Sequence, residues 1–356
     1  MARKKNKIKV GVIYNESAPE MYGSQTKADN GELKFIPYFE IEHQSPIDEF
    51  EDIAGHLRKQ GFDAYAFNIH DSLDKLLDHL TQEKPDVVFN FIEVFGVSSR
   101  YEMNIAGIYE MLGIHYTGAP VLTLANCQDK ILTKKLLRAS GIQVPDFEMV
   151  SEPLLHLPKH LKFPVIIKPA YEDASVGIEH DAVVRDEKRM RDRIDYILEH
   201  FKQPAILDQY IDGREMNVSV VGDENLEALP ISEIDFSEMP GHLDRIVSYQ
   251  AKWDPHHEAY HRTIPICPAP LTANMTKKIQ KIAVNAFRTM NCRDYARIDC
   301  RLNKNGDVFV LEVNPNPDLT EGAGFMRSAE AAGYKYGKML ARIVDSAVQR
   351  KLRSKI

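Results

Sequence analysis

Apolar and polar positions along the first 120 or so residues follow two periods. Short apolar runs of strand type, IKVGVIYN, FDAYAFNI and DVVFNFI, are separated by the amphipathic stretches IDEFEDIAGHLRKQG and SLDKLLDHLTQE. Strand and helix alternating with short connections predict a parallel, doubly wound sheet. Such sheets bind ligands beyond the carboxyl ends of their strands. NFIEVFGVSSRYEMNIAGIYEMLG falls at such a place, with a Gly- and Ser-containing loop after a strand and Glu102 near the next helix start. It reads equally as an ordinary turn with a helix cap.

Beyond residue 120 the pattern changes. DKILTKKLLRASG predicts a helix with Asp129 near its start and Gly141 near its stop. Lys130 then lies in the first turn, the unfavourable end for a cation, where it would share a polyanion with the helix N-terminus or stay solvated. KFPVIIKPAYEDASVGIEHDAVV reads as a strand ending at Lys168, a polar loop with Asp173, Ala174, Ser175 and Gly177, and a second strand. Such a loop can close over phosphates through its backbone N–H groups. A helix over RDEKRMRDRIDYILEHF precedes PAILDQYIDGREMNVSVV, read as strand, turn at Asp212-Gly213, and strand beginning with Glu215. An irregular stretch from about 236 to 270, a helix over TANMTKKIQKIAVNAFRTMN and a closing helix from about 334 to 353 complete the chain. No internal repeat is present.

RDYARIDCRLNKNGDVFVLEVNPNP carries the densest chemistry. Asn305-Gly306 predicts a two-residue hairpin turn. Asp299 then faces Glu312, Arg297 faces Asn314, and period-two alternation places all four on one face. On the other, Ile298, Cys300 and Leu302 oppose Val313, Leu311 and Phe309 as core. Opposed carboxylates destabilise a sheet unless something positive lies between them. A divalent cation such as Mg²⁺ suits that position. A solvated face in which Arg297 alone neutralises the acids suits it equally from the hairpin alone.

Composition limits the remaining choices. A chain of 356 residues exceeds one ordinary core and points to two or three domains. A balance of 45 basic against 52 acidic residues, net −7, argues against a general nucleic-acid binder. Cys127, Cys267, Cys292 and Cys300 lack C-x-x-C spacing, so a reducing compartment is the simpler expectation. No apolar run approaches the roughly 20 residues that span a bilayer, and no signal-peptide apolar region follows Arg3, Lys4 and Lys5, which read as a solvated tail; a cytoplasmic protein is expected. HHEAYH sets His257 and His261 at helical metal spacing, but without an evident third ligand it reads as a polar loop rather than a zinc site. Trp253 is the only tryptophan, either a ligand-facing lid residue or a loop anchor.

Taken in order, DK, FPVIIKP with its loop, DQYIDGRE, YQAKW, ARIDCRL and LEVNPNP resemble the ATP-grasp enzymes, in the D-alanine–D-alanine ligase-like branch. The likeness runs from about residue 85 to 333. It implies an α/β fold with an α+β ATP-grasp part: an N-terminal doubly wound parallel-sheet domain over 1–120, a small lid lobe over 121–205, and a C-terminal lobe over 206–356, with ATP between two antiparallel sheets. Lys130 and Lys168 then correspond to lysines that reach the phosphates, and the 171–177 loop with Ser175 to a lid. Asp208, Gln209 and Ile211 correspond to the adenine-reading segment, Glu215 to the ribose carboxylate, and Lys252 to a lysine directed at the terminal phosphate. Asp299, Glu312 and Asn314 correspond to ligands of Mg²⁺ or Mn²⁺, and Arg297 to the arginine that stabilises the intermediate. The resemblance implies phosphorylation of a carboxylate and attack by an amine on the acyl phosphate, in a homodimer acting on small amino-acid or peptide substrates.

The substrate half departs from that pattern. YNESAPEMYGSQ stands in place of a Gly-Gly-x-Ser start followed by glutamate, Ala174 in place of a serine, and Trp253 in place of a tyrosine. Asp318 occupies an expected glycine position, and Ala323 falls near a serine that grips the second substrate's carboxylate. Glu102, Trp253 and Asp318 are the substrate-side candidates, with Asp318 either a recognition group for an amine or a turn residue after Pro317. The expected function is a carboxylate–amine ligase. The alternatives are D-alanine–D-alanine ligation proper and a nucleotide-binding regulator without catalysis, which would have no need of Arg297.

Overall fold

A computed structural model of the chain describes residues 7–16, 46–96, 98–172 and 175–353, with the backbone alone for 46–48. The basic tail at Arg3, Lys4 and Lys5, most of YNESAPEMYGSQ, Asp173 and Ala174 lie outside them.

The N-terminal sheet has the predicted parallel form. Strands β1 (Lys9–Tyr14), β2 (Asp63–Asn68) and β3 (Val87–Phe91) run in the order β2-β1-β3, with β1 central and parallel to both neighbours. Alternation along β1 sends Val10 and Val12 to one face and Ile13 to the other. The first face packs against α1 (Pro46–Lys59) through Ile53 and Leu57; the second packs against α2 (Leu73–Glu83) and α3 (Glu102–Met111) through Leu76, Leu80, Ile105 and Tyr109. The closing helix α11 (Tyr336–Arg353) returns to the first face, burying Met339, Leu340 and Ile343.

Helices α4 (Val121–Gln128) and α5 (Lys130–Ala139) lead into a four-stranded antiparallel sheet. Its strands are β4 (Phe147–Val150), β5 (Val165–Pro169), β6 (Val183–Val184) and β7 (Ala205–Gln209), ordered β4-β7-β5-β6, with α6 (Glu187–His200) covering one face. Asp129 caps α5 by accepting from the Leu132 N–H, as its position before an apolar-periodic run predicts.

A second antiparallel sheet follows. It contains β8 (Gly213–Gly222), β9 (Glu227–Ala228), β10 (Ser232–Asp235), β11 (Ile264–Ile266), β12 (Asp294–Asn303) and β13 (Val308–Asn314). The main path is β11-β10-β8-β12-β13, with β9 paired to β8. Helix α9 (Ala273–Thr289) packs Ile279, Ala283 and Phe287 onto its apolar face, against Met216, Val218, Ile298 and Cys300. The Asp212-Gly213 segment joins strands of different sheets, β7 and β8, so the chain crosses between lobes there. Within the irregular 236–270 stretch lie α7 (Tyr249–Trp253) and α8 (Glu258–His261), and α10 (Gly324–Ala331) adds a helix that the sequence reading did not anticipate.

The β12–β13 hairpin departs from prediction in an instructive way. Asn303 pairs with Asp307 across Lys304-Asn305-Gly306, so the turn has three residues; Gly306 alone takes positive φ (+82°), not the Asn-Gly pair. The Asn303 side-chain oxygen accepts from the Asn305 and Asp307 N–H groups and stabilises this longer turn. Near the turn Leu302 consequently opposes Val308, and Cys300 opposes Val310. A bulge between Asp299 and Cys300 then absorbs one residue, and beyond it Asp299 opposes Glu312 and Arg297 opposes Asn314 as predicted. Val308 and Val310 fill the core in place of Phe309 and Leu311, and Leu311 lines the cleft. Two local departures cancel, leaving the site register unchanged.

Candidate active site

Between the two antiparallel sheets lies a cavity of about 500 Å³. Its large-lobe wall is built by alternation on three adjacent strands. On β8, Glu215, Asn217 and Ser219 point away from the core residues Met216, Val218 and Val220; on β12, Arg297, Asp299 and Arg301 do the same. Register aligns them in rows: Asn217 with Asp299 and Glu312, Glu215 with Arg301, Ser219 with Arg297 and Asn314.

The rows are hydrogen-bonded. Arg297 grips Asp299 bidentately, Nε to Oδ1 at 2.8 Å and Nη2 to Oδ2 at 2.7 Å. Asn217 donates to Asp299 Oδ1 at 2.7 Å, and the Asn314 amide donates to Asp299 Oδ2 at 2.9 Å and Glu312 Oε1 at 3.2 Å. Burial alone would raise the Glu312 carboxyl, but Lys130, Lys168 and Arg297 outweigh it and hold it at about 2. Asp299 moves the other way: burial, with Glu312 opposite, outweighs the pull of Arg297. A buried and a half-buried carboxylate in register and an amide offer only hard oxygen donors once the Asn314 amide is turned about its terminal torsion, the set that suits Mg²⁺.

The facing wall comes from the small lobe. Lys168, at the end of β5, lies 3.0 Å from Asp208 Oδ2 on β7, and Lys134 lies 3.2 Å from the same oxygen. Burial drives Lys134 down to about 8 despite Asp208, while Asp208, held by both lysines, falls below the ordinary carboxylate range in spite of its burial. Lys130, one helical turn before Lys134 on α5, donates to the Glu172 carbonyl at the root of the lid loop. Ser175 takes positive φ (65°) and donates to the Val247 carbonyl, tying the lid to the 236–270 stretch. Gly177 also has positive φ (72°), and a Cβ there would lie 2.5 Å from Pro169 Cγ, so glycine is required.

The remaining sequence candidates divide. Ile211, Gln209 and Lys252 line the cavity with Lys130, Lys168 and Glu215. The Gln209 amide, however, is engaged with the backbone at Lys162 and Pro164, and the Asp208 carboxylate with its lysines, which leaves backbone groups to read a ring in this corner. Glu215 accepts from Arg301 Nη2 at 2.8 Å. Lys252 lies 5.0 Å over the ring of Trp253, itself 52 % exposed. Glu102 accepts from Asn316 at 2.6 Å. Asp318 is exposed, and its Oδ1 accepts from the Thr320 N–H and hydroxyl, which fits the turn reading.

His257 and His261 do not converge: His261 Nε2 contacts the Pro255 carbonyl, and His257 faces His180 at 3.1 Å. Among the described residues no three His, Cys, Asp or Glu side chains form a metal cluster of that kind. Sequence reasoning missed Asn217, Arg301 and Lys134. Extending the alternation of β8 and β12 by two residues would have found the first two; nothing local marks Lys134, whose partner is 74 residues away in sequence.

The arrangement sets lysines against a carboxylate row across an interlobe cleft, and the comparisons that follow place it in the class of ATP-dependent carboxylate–amine ligases of ATP-grasp type. The family model described as D-ala D-ala ligase C-terminus matches residues 136–345. Among similar proteins are D-alanine–D-alanine ligase of Bordetella avium, 31 % identical over 294 residues (82 % of this chain and 86 % of that protein), and an uncharacterized protein of Sinorhizobium fredii, 32 % identical over 265 residues (74 % and 75 %). The crystal structure of D-alanine–D-alanine ligase from Bacillus anthracis complexed with ATP has the same fold, with TM-score 0.69 and 22 % identity, covering 98 % of this chain and 99 % of that one. The chain belongs to the D-alanine–D-alanine ligase family.

Proposed function

We propose that this chain uses ATP to activate the carboxylate of one amino acid or small peptide as an acyl phosphate and joins it to the amine of a second. The observation that carries the reading is the meeting of Lys130 and Lys168 with the Arg297–Asp299–Glu312–Asn314 face across one cavity. The lysines offset charge on the phosphate oxygens during transfer. Asp299, Glu312 and Asn314 would hold Mg²⁺, which when bound would offset negative charge on the phosphates. Arg297 donates to the oxygen of the acyl carbon as the amine attacks, and the amine loses its proton as the amide forms and phosphate leaves. The lid and the 236–270 stretch, joined through Ser175 and Val247, exclude water that would hydrolyse the acyl phosphate.

D-Alanine, named for the relatives, is the first substrate to try, within a panel of D- and L-amino acids and dipeptides scored by ADP release from purified protein. Amino-acid-dependent release is the expected result. Tight ATP binding without any such dependence overturns the ligase reading in favour of a regulator, and dependence on D-alanine alone assigns the family's namesake reaction.

A further inference from the structure

Two residues along β12 from Asp299, about 7 Å at strand rise, Arg301 directly opposes Glu215 on β8. Both line the cavity beyond the carboxylate row. Arg301 is 3 % exposed, and every nitrogen of its guanidinium is engaged. Nε and Nη2 donate to Glu215 Oε2 at 3.2 and 2.8 Å, Nη1 donates to the Ile211 carbonyl at 2.9 Å, and Nη2 also donates to the Arg245 carbonyl. Its Cζ lies 5.3 Å from the Tyr210 ring centre and 5.8 Å from that of Phe236. One side chain therefore ties together three segments: the crossing between lobes at Ile211, the start of β8 at Glu215, and the 236–270 stretch at Arg245.

A guanidinium so occupied has little left to offer a phosphate. What it leaves open is half of the carboxylate. Both bonds to Glu215 fall on Oε2, and among the described residues no donor is bonded to Oε1. An ionised carboxylate oxygen accepts and cannot donate, and it carries two lone pairs. Of the parts of a nucleotide, the phosphates are repelled by such an oxygen, whereas two neighbouring sugar hydroxyls match its two lone pairs. Holding the carboxylate in advance also matters, because a glutamate free to rotate loses side-chain entropy when a ligand fixes it.

We infer that Arg301 is a positioning residue that fixes the Glu215 carboxylate with Oε1 unengaged and thereby sets the sugar selectivity of the nucleotide site, ribose over either deoxyribose, resting on the ATP use proposed above. The planar fork is essential to the role. A lysine at 301 would restore the charge opposite Glu215, but a single ammonium cannot hold that carboxylate, the Ile211 carbonyl and the Arg245 carbonyl in one fixed geometry. Arg301 itself touches no reacting atom; it acts through Glu215.

The test is isothermal titration calorimetry of the full chain in magnesium buffer without amino acids, comparing ATP with 2′-deoxy-ATP and 3′-deoxy-ATP in wild type, Arg301→Met and Arg301→Lys. Loss of one hydrogen bond to a charged group predicts that wild type binds each deoxynucleotide roughly tenfold or more weakly than ATP. In Arg301→Met the Kd for ATP should rise toward the deoxynucleotide values, which should themselves move less than about threefold. Arg301→Lys should recover part of the difference. In a Glu215→Ala background, adding Arg301→Met should leave the ratio of the three Kd values unchanged, because the group it positions is gone. A Kd raised equally for all three nucleotides marks a packing role and overturns the inference. So does a wild type that binds ATP and the deoxynucleotides alike. Where Arg301→Met does not fold, Arg301→Lys carries the comparison: a reduced ratio supports the inference and an equal rise overturns it. Failure of the wild type to bind ATP at all overturns the ATP reading and this inference with it, whereas ATP binding without sugar discrimination overturns the inference alone.

Discussion

Replacing Asp208 by asparagine removes the carboxylate that lies between Lys134, which is buried, and Lys168, which is largely so. Lys134 is 1 % exposed and Lys168 11 %, and both Nζ atoms lie within 3.2 Å of Asp208 Oδ2. With an effective dielectric of about 20, each attraction amounts to about 5 kcal/mol before desolvation is subtracted. Breaking a buried pair by removing one partner typically costs about 3–5 kcal/mol, because the surviving charge stays dehydrated. We expect a loss of that size in nucleotide-free protein, measured by urea denaturation followed by circular dichroism. The cost should also depend on pH. Lys134 already titrates at about 8 with Asp208 present; without it the folded value drops further, while the unfolded lysine keeps its model value of 10.5. Below the new folded value Lys134 is charged in both proteins and the loss is complete; as pH rises toward 8 and beyond, the variant sheds the proton and part of the loss disappears. The penalty should therefore be larger at pH 6 than at pH 9. A loss under about 1 kcal/mol, or a penalty that grows with pH, would refute the charge assignment.

Glu312→Gln should lower turnover by about a hundredfold or more, roughly 3 kcal/mol of transition-state stabilisation, with an unchanged circular dichroism spectrum; near-normal turnover would sink the metal-ligand assignment. Gly177→Ala meets Pro169 and a left-handed backbone, a strain of about 1–3 kcal/mol, so the ATP KM should rise roughly tenfold; an unaltered ATP KM would show that the lid loop does not touch the nucleotide. His180 is held below 6.5, first by burial and then by His257 and His242, with Asp181 and Asp244 opposing. Its contribution to the His180–His257 contact is therefore complete above pH 6.5 and lost as pH falls through the folded value. The wild-type ATP KM should rise on acidification in that window, and His180→Gln should flatten the rise; superimposable profiles would dismiss the contact as a clasp between lid and loop.

Much of this site was legible because strand chemistry is local. Period-two alternation placed Arg297, Asp299, Glu312 and Asn314 on one face irrespective of turn length, since the bulge before Cys300 restores the register that the three-residue turn displaces. The Asn-Gly signal was misread because Asn303 offers its own side chain to the turn, a contact that favours Gly306 alone in the left-handed region. His257 and His261 showed helical metal spacing, yet α8 is a single turn capped by His257 itself, so its ring faces outward to His180.

Sequence by itself determined the parallel N-terminal sheet and the polar face of the β12–β13 hairpin, because each follows from neighbours a few residues apart, whereas Lys130 and Lys168 were singled out through the family resemblance. Only the tertiary structure decided which charges meet. That Asp208 serves Lys134 as well as Lys168, that Glu215 is held by Arg301, and that Arg327 turns beside Arg297 all depend on the packing of two sheets across a cleft. Coulomb interaction acts through space while periodicity acts along the chain, and the partners here lie 30 to 86 residues apart in sequence.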